Sequence, residues 1–350
     1  MENKNEFTEE LMDILRHWEF NGCVSICQNG TPVFEASNGW ANYENKVCHT
    51  LKSRFLIASV TKQFTAACIM MLVEEGKLCL EDKLQVYLPE YIHSDKMTIR
   101  QMLNMMSGIP DMINDVIVAQ LETEVVPEDR TDKEQLIYEY NAMSRPFTLS
   151  EVLELVNDKE LDFIPGEKIR YSNTNYSFLG FIIERLSGQS LDKFMTERLF
   201  SPLGMKHTNC RPETASCPGY ERQDEIIYLG YGRDTSGDGC IVTTVGDLSL
   251  WLNVVLKKQL LLPESWEQIL TMIPNTDKEC WLENYGFGWD KTGIWYQHNG
   301  GDMGYICFVF LSFEKQIAVA ICENMPTLPL TEPAGRVEFA IMGCVDKYFE

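Results

Sequence analysis

The chain has 350 residues, of which 45% are hydrophobic and 23% are charged, a composition typical of a folded globular protein and unlike that of disordered or collagen-like chains. Acidic residues outnumber basic residues by 52 to 30, which gives a formal net charge of -22. Because this charge repels a phosphate backbone and an anionic membrane surface, we expect neither a nucleic acid nor a membrane as a partner.

The start of the chain and its cysteines indicate a cytoplasmic location. Residues 1–10 are polar and acidic and contain no signal-peptide pattern. The apolar run of residues 66–73 is followed by Glu74, Glu75 and Gly76, so it is much shorter than the roughly 20 residues that span a bilayer. The 12 cysteines form no CxxC pair and no zinc-like spacing with histidines. We predict reduced, mostly buried thiols in a cytoplasmic protein, provided that no export signal has been removed.

The first part of the chain predicts a helix, a hairpin and a second helix, in that order. Apolar residues at helical spacing within residues 7–18 indicate an amphipathic helix. Residues 23–27 and 33–36 predict two strands joined by a tight turn. The apolar residues 55–58 lead directly to Ser59, and a helical period then continues until a glycine ends it. Ser59 is therefore predicted to lie at the start of a helix.

The middle of the chain differs from both ends. From about residue 84 to about residue 216 the pattern is mostly helical, with prolines between the segments. After residue 239, short aromatic and β-branched runs return and predict strands at residues 285–289, 294–297, 305–310 and 317–322, followed by a helix at residues 332–349.

These patterns predict an α/β (α+β) fold with one inserted part. Residues 1–83 and 217–350 would together build the sheet. Residues 84–216 would form an all-helical lobe inserted between them, because strand patterns are concentrated at the two ends of the chain.

Ser59 and Lys62 form the first candidate catalytic pair. Residues three apart on a helix lie on one face and can touch. A lysine partly removed from water can take the proton that keeps a serine hydroxyl weakly nucleophilic, and the helix start would supply N–H groups for an oxyanion. An isolated SxxK pattern also fits an ordinary helix-capping serine beside a surface lysine, so it does not decide the function alone.

Tyr171 and Asn173, in the sequence Tyr171-Ser172-Asn173, form the second candidate. A tyrosine can pass protons between a nucleophile and a leaving group if nearby cations lower its pKa, and an asparagine amide can hold a substrate carbonyl. A helix is predicted directly afterwards, at residues 175–186. The isolated pattern also fits a helix-capping turn with a packing tyrosine.

The third candidate is His298-Asn299-Gly300-Gly301, which follows the predicted strand of residues 294–297. Glycines allow a substrate backbone to lie close along a strand edge, and a histidine can offer a hydrogen bond or a positive charge to the far end of the substrate. A glycine-rich hairpin with an exposed histidine is the alternative for the isolated motif.

The three motifs occur in the order SxxK, YxN and HxG, which chance produces far less often than any single motif. The chain resembles the superfamily of serine β-lactamases and penicillin-binding proteins, in particular the class C β-lactamase-like branch that includes D,D-peptidases, D-aminopeptidases and certain esterases. The similarity covers nearly the whole chain and includes residues 103–110, 165–166, 199–205 and 239–251. It implies an antiparallel sheet flanked by helices, a helical lobe, and a single site in the cleft between them.

The resemblance also implies the catalytic roles. Ser59 would attack an acyl carbon to form an acyl-enzyme, which water then hydrolyses, while Lys62 and Tyr171 would share the proton transfers. No metal and no organic cofactor is implied. The expected partner is a small-molecule or short-peptide substrate.

The same resemblance assigns substrate-binding roles to the remaining motif residues. The main-chain N–H groups of Ser59 and Gly301 would form the oxyanion hole, and Asn173 would orient the substrate amide. His298 would stand where many relatives carry lysine, and Gly300 would be the glycine of the same motif.

Two features depart from the family pattern. The sequence Lys291-Thr292-Gly293 spells the family's lysine-threonine-glycine motif, but it stands between two strand-like runs where a turn is expected, so we assign the motif to His298. Met105 occupies a position where many relatives have histidine, which we interpret as a packing difference.

Three functional hypotheses follow. The first is a serine hydrolase of small esters, amides or D-amino acid peptides, and the absence of an export signal favours it. The second is a β-lactamase or D-alanyl-D-alanine carboxypeptidase proper, which would work outside the membrane. The third is a catalytically silent, penicillin-binding-like protein, but retention of Ser59, Lys62 and Tyr171 argues against it.

Overall fold

A six-stranded antiparallel sheet lies at the centre of the computed structural model, which describes residues 2–233, 236–326 and 336–349. Every neighbouring pair of strands is antiparallel. The strands, in spatial order, are β11 (Asp290–Thr292), β12 (Trp295–Asp302), β13 (Tyr305–Ser312), β14 (Ile317–Glu323), β1 (Gly22–Gln28) and β2 (Thr31–Asn38). Because β1 pairs with β14, both ends of the chain contribute to one sheet, which confirms the predicted architecture.

Short strand pairs and twelve helices make up most of the other regular structure in the described residues. The pairs are β3 (Trp40–Asn42) with β4 (Val47–Cys48), β5 (Phe55–Leu56) with β8 (Val242–Thr243), β6 (Gly219–Arg222) with β7 (Ile226–Gly230), and β9 (Ile273–Pro274) with β10 (Asn284–Tyr285). The helices are α1 (Glu2–His17), α2 (Thr61–Glu74), α3 (Ile99–Leu103), α4 (Val118–Thr123), α5 (Asp132–Met143), α6 (Leu149–Val156), α7 (Asn173–Ser187), α8 (Leu191–Met195), α9 (Ser201–Leu203), α10 (Val245–Leu256), α11 (Pro263–Leu270) and α12 (Val337–Tyr348).

Helices cover both faces of the sheet. Strands β13 and β14 are buried at every residue, because successive side chains point to opposite faces and each face packs against an apolar layer. Val24 and Ile321 belong to the layer shared with α1 and α12, whereas Cys23 and Cys322 belong to the layer shared with α2 and α10. The flanked sheet expected from the sequence is therefore confirmed.

The helical insertion is also present. Helices α3 to α9 follow one another between β5 and β6 without an intervening strand, and this stretch lies wholly within the described residues. The boundaries of the lobes, at residues 83/84 and 216/217, stay a prediction. No helix in the described part of the chain combines the length and apolar character needed to cross a membrane.

The predicted strands near the end of the chain need two corrections. Residues 285–289 do not form one strand, because β10 ends at Tyr285 and a turn with Gly288 at a φ of +77° precedes β11. The strand predicted at residues 294–297 is longer than expected, since β12 continues through Asp302. His298 and the two glycines that follow therefore lie within β12, whereas the sequence pattern placed them after the end of the strand.

The C-terminal helix is shorter than the predicted segment of residues 332–349. It begins at Val337, and residues 332–335 lie outside the described residues. At the N-terminus, α1 and the hairpin of β1 and β2 agree with the sequence pattern.

The cysteines behave as packing residues. None of the 12, all of which lie in the described residues, forms a disulfide, and nine of them are buried. Burial raises the pKa of Cys68 and Cys217 well above the ordinary value for a thiol, so these side chains are protonated and unreactive near neutral pH.

Candidate active site

Ser59 lies in a single 3₁₀ turn, Ala58–Val60, that runs directly into α2. The turn is held in place because Ile57 N–H donates to Ile241 O at 2.9 Å, and Val60 N–H donates to Ile57 O at 3.2 Å. Ala58, immediately before the serine, has a φ of +44°, a backbone conformation that costs an L-residue about 1–2 kcal/mol. The fold therefore maintains local strain next to Ser59, as is common at functional sites.

Lys62 is fully buried one helical turn after Ser59. Its Nζ donates to Ser59 Oγ at 3.0 Å, to Asn173 Oδ1 at 2.8 Å and to the main-chain oxygen of Asp238 at 3.0 Å. An ammonium group has three donors, and all three find an acceptor here. None of these acceptors is a carboxylate, so the lysine is placed by neutral oxygens beside the serine hydroxyl.

Tyr171 completes the group around the serine. The Nζ atom of Lys62 lies 4.9 Å from the centre of the tyrosine ring. Burial raises the pKa of Tyr171, and the opposing effects of Lys62 and Ser59 are smaller. This direction corrects the expectation that a cation would lower the tyrosine pKa, because desolvation of the phenolate outweighs attraction to the lysine. Tyr171 is therefore a protonated phenol at neutral pH.

Asn173 connects this group to a buried carboxylate. The residue begins α7, and its side-chain nitrogen donates to Asp111 Oδ2 at 3.0 Å while its oxygen accepts from Lys62. Its main-chain N–H donates to the same Asp111 oxygen at 3.0 Å. The amide is thus oriented by the protein on both sides, which leaves one N–H and one lone pair for a substrate.

Asp111 was not among the candidates from the sequence. It is buried and caps a short π-helical segment, Met112–Ile117, by accepting from Ile113 N–H at 2.9 Å and Asn114 N–H at 3.1 Å. Burial raises its pKa, while the hydrogen bonds from Asn173 and Asn114 act in the opposite direction. The available signal was the residue type itself, because aspartate is a favoured N-cap residue.

His298 lies beside Tyr171, with 6.2 Å between the ring centres. Its Nε2 is 2.9 Å from Tyr285 Oη and its Nδ1 is 2.6 Å from Asn299 O. Burial and the neighbouring Lys62 lower the pKa of His298 to about 3. The histidine is therefore neutral, so it cannot supply the positive charge that the sequence allowed for, and both ring nitrogens already have partners in the protein.

Lys291 is placed differently. It lies in β11 opposite Tyr296, with its Nζ 4.8 Å from the centre of that ring, and it does not line the cavity that contains Ser59. Thr292 also belongs to β11, and only Gly293, at a φ of +57°, is part of the expected turn. The structure thus brings His298, and not Lys291, next to Tyr171.

Gly300 and Gly301 bring β12 against the serine turn. A Cβ atom on Gly300 would lie 2.2 Å from Ile57 O and 2.8 Å from Ser59 N, so any larger residue would force the strand away from the nucleophile. Gly301 lines the same cavity as Ser59. The oxyanion hole at the N–H groups of Ser59 and Gly301 stays a prediction.

A cavity of about 1430 Å³ opens at this group of residues. Ser59, Tyr171, Asn173 and Gly301 line it, whereas Lys62 and His298 lie behind its surface. Its walls also include Met112, Phe147, Trp281, Asn299 and Asp302. Among the described residues, no group of His, Cys, Asp and Glu side chains is arranged to hold a metal ion.

Comparison with known proteins places this geometry in a family. A family model described as Beta-lactamase matches residues 8–336. The chain belongs to the Beta-lactamase family. Membership of this family supports a serine hydrolase in general, and it confirms the resemblance drawn from the SxxK, YxN and HxG motifs.

Individual members of the Beta-lactamase fold agree with this assignment. Protein flp of Staphylococcus aureus (strain NCTC 8325 / PS 47) is 25% identical over 322 residues, which are 86% of this chain and 59% of flp. A penicillin-binding protein of Bacillus subtilis (strain 168) is 28% identical over 332 residues, 87% of this chain and 68% of that protein. The structure of a D-amino acid amidase from Ochrobactrum anthropi SV3 superimposes with a TM-score of 0.75 at 22% identity, covering 97% of this chain and 99% of the amidase. The chain thus spans well under two thirds of flp, and the amidase shows a shared fold.

Met105, the second departure from the Beta-lactamase family pattern, is a packing residue. It is fully buried with a φ of +59°, and its sulfur lies 3.6 Å from the side-chain nitrogen of Asn175. Asn175 also accepts from Ser107 Oγ at 2.6 Å. Methionine therefore supports the buried network behind α7 without contacting Ser59.

Proposed function

We propose that this chain hydrolyses small esters, amides or D-amino acid peptides through an acyl-enzyme on Ser59. The observation that carries the proposal is the fully buried Lys62, whose Nζ lies 3.0 Å from Ser59 Oγ with the Tyr171 ring beside it. A serine placed between a lysine and a tyrosine at the floor of an open cavity fits an activated nucleophile.

In the proposed acylation, Ser59 Oγ attacks the substrate carbonyl carbon. The step requires the unprotonated form of Lys62, in which the amine lone pair faces Ser59 Oγ and takes the serine proton. The Tyr171 phenol donates its proton to the leaving oxygen or nitrogen. Lys62 then returns a proton to the tyrosine, so both residues end the step in their starting forms, the serine is acylated, and its proton has left on the leaving group. The raised pKa of Tyr171 suits this role, because a phenol that keeps its proton can donate it.

Deacylation uses the same groups. Water attacks the acyl carbon and its proton passes to the unprotonated Lys62, while the Tyr171 phenol donates its proton to the Ser59 oxygen as the acid departs. Lys62 then returns a proton to Tyr171. The N–H groups of Ser59 and Gly301 would stabilise the oxyanion in both steps.

The substrate class rests on the relatives and on the cavity. The Bacillus subtilis relative is named a penicillin-binding protein, so a β-lactamase or D-alanyl-D-alanine carboxypeptidase is the second candidate. The neutral His298 favours the hydrolase of small esters, amides or D-amino acid peptides. A lysine at this position would present a charge to a carboxylate at the end of the substrate, whereas the imidazole here is uncharged. A silent binding protein would not require Lys62 to lie buried against the serine.

We also propose a cytoplasmic location, supported by 12 cysteines in the described residues that form no disulfide, nine of them buried. Disulfides form and persist mainly in oxidising compartments. Location of a tagged full-length chain by cell fractionation tests this proposal.

The test of the proposed function is Ser59→Ala, assayed with ester and amide derivatives of D- and L-amino acids. We expect turnover to be abolished while the fold stays intact, because the substitution removes only a hydroxyl that lines the open cavity. Parent-level turnover in Ser59→Ala would overturn the mechanism. Turnover of a penicillin in preference to every amide would establish the second candidate.

A further inference from the structure

Trp281 has the most exposed side chain of the seven tryptophans, with an exposed fraction of 71%. It lines the cavity that contains Ser59. Tryptophan side chains usually bury most of their area. An indole left open in the wall of a cavity has a large apolar face available for a ligand.

The segment that carries Trp281 is fixed to the protein. Asn275, which is buried, accepts from Ile169 N–H at 3.1 Å and donates to Ile169 O at 3.0 Å and to Leu282 O at 2.8 Å. Lys168 and Asp277 form an ion pair at 2.9 Å. The segment is therefore tied to residues directly before Tyr171, and holding the indole in place costs little additional entropy when a ligand binds.

The indole lies next to the reacting group. Its ring centre is 5.9 Å from that of Tyr171, with 45° between the planes. Tyr171 in turn lies against Lys62 Nζ. In the proposed acylation Tyr171 donates to the leaving group, so a leaving group that accepts this proton extends past the face of Trp281.

The cavity that Trp281 lines has further apolar surface. Met112 and Ile113 line the same cavity. Two cations that line the cavity, Lys168 and Arg170, are already paired with acidic side chains. The chemistry offered by Trp281 is therefore aromatic stacking and not charge recognition.

We infer that Trp281 is a specificity-determining residue that stacks on an apolar, preferably aromatic, leaving group of the substrate. This inference rests on the function proposed above, because it takes the position of the leaving group from the role of Tyr171. It names the substrate class more narrowly: acyl derivatives of aromatic or bulky apolar amines and alcohols.

The experiment compares two amides with the same acyl group, D-alanine benzylamide and D-alanine methylamide. Trp281→Ala should reduce the preference in kcat/KM for the benzylamide by between about threefold and tenfold, the range expected for losing an aromatic pair. The change should arise mainly in KM. Trp281→Phe should restore most of the preference, and Trp40→Ala, at a tryptophan of β3 that does not line the cavity, should keep it.

Binding separates this inference from the proposed function. With Ser59→Ala as the background, calorimetry measures the Kd of both amides with and without Trp281→Ala. A loss of benzylamide preference on Trp281→Ala supports the inference even if no variant turns over either amide, an outcome that would count against the proposed function alone. An unchanged preference, or no binding of either amide, would overturn the inference.

Discussion

The residues around Ser59 and the residues along the cavity wall differ in how far their side chains are engaged in contacts within the protein. Around the serine, Lys62 donates to three oxygens, and the Asn173 amide joins the lysine to Asp111. Along the wall, Trp281 leaves most of its side chain exposed. Crowded polar contacts thus fix the reacting groups, whereas the wall offers open surface. With the function and the specificity role proposed above, reaction type and substrate choice would be carried by separate parts of this cavity.

The largest effect is expected at Lys62. Replacement by methionine keeps the length of the side chain but removes the base, so kcat/KM should fall by about 10³-fold, within the range of general-base contributions. Steady-state kinetics on a D-amino acid ester, with circular dichroism as the check on folding, measures this. Lys291→Met is the matched control and should keep near-parent activity. A Lys62→Met enzyme within about tenfold of the parent would contradict the separation of roles.

An intermediate effect is expected at His298. Removal of the imidazole by His298→Ala takes one hydrogen-bond partner from the buried hydroxyl of Tyr285, which also interacts with Tyr176. This loss should cost on the order of 1 kcal/mol of unfolding free energy. Because the ring also packs beside Tyr171, kcat/KM should fall by about tenfold. Denaturant unfolding and kinetics, run in parallel on Lys291→Ala, test this. A greater loss of kcat/KM in Lys291→Ala than in His298→Ala would assign the third motif to Lys291.

The smallest effect is a change of stability with pH at Asp302. Burial raises the pKa of this carboxyl from 3.8 to about 6, and the nearby Asp238 raises it further, against the hydrogen bond from Ser144. Since the folded pKa lies above the unfolded one, the charged carboxylate destabilises the fold fully above about pH 6, and the penalty disappears as the pH falls towards about 4.

Asp302→Asn should therefore stabilise the protein more at about pH 8 than at about pH 4.5, by on the order of 1 kcal/mol. Urea unfolding at both pH values measures the difference. Asp158→Asn, at a side chain with an exposed fraction of 70%, is the control and should show no such dependence. An equal effect of Asp302→Asn at the two pH values would show that ionisation of Asp302 does not destabilise the fold.

Much of the fold and of the reacting group could be predicted from the sequence. Helical periodicity, the hairpin turn and the late strand patterns are local signals, so α1, β1, β2 and the helical insertion agree with the structure. Ser59 and Lys62 are three apart on one helix start, which makes their contact a local property as well. The structure brings Tyr171 and Asn173 to the same point, a placement that only the ordered set of motifs indicated.

The errors have physical causes. The sequence Asn299-Gly300-Gly301 is typical of a turn, but contacts with the serine turn hold it within β12. The charge of His298 and the pKa of Tyr171 depend on burial, which no local pattern reports.

The omissions have a similar origin. Asp238 contributes a main-chain oxygen to Lys62, and every residue type has that atom, so the sequence carries no signal for it. Trp281 is a single tryptophan in an irregular segment without periodicity. Its exposure in the cavity wall could be recognised only from the structure.

The central claim, an acyl-enzyme at Ser59, is tested most directly by intact-mass spectrometry after separate exposure to a fluorophosphonate and to a penicillin, with Ser59→Ala as the control. We predict one adduct per chain with the fluorophosphonate and none in Ser59→Ala. A Ser59-dependent penicillin adduct would in addition keep β-lactams and D,D-peptides among the substrates. An unmodified parent protein with both reagents, or equal labelling of Ser59→Ala, would contradict the claim.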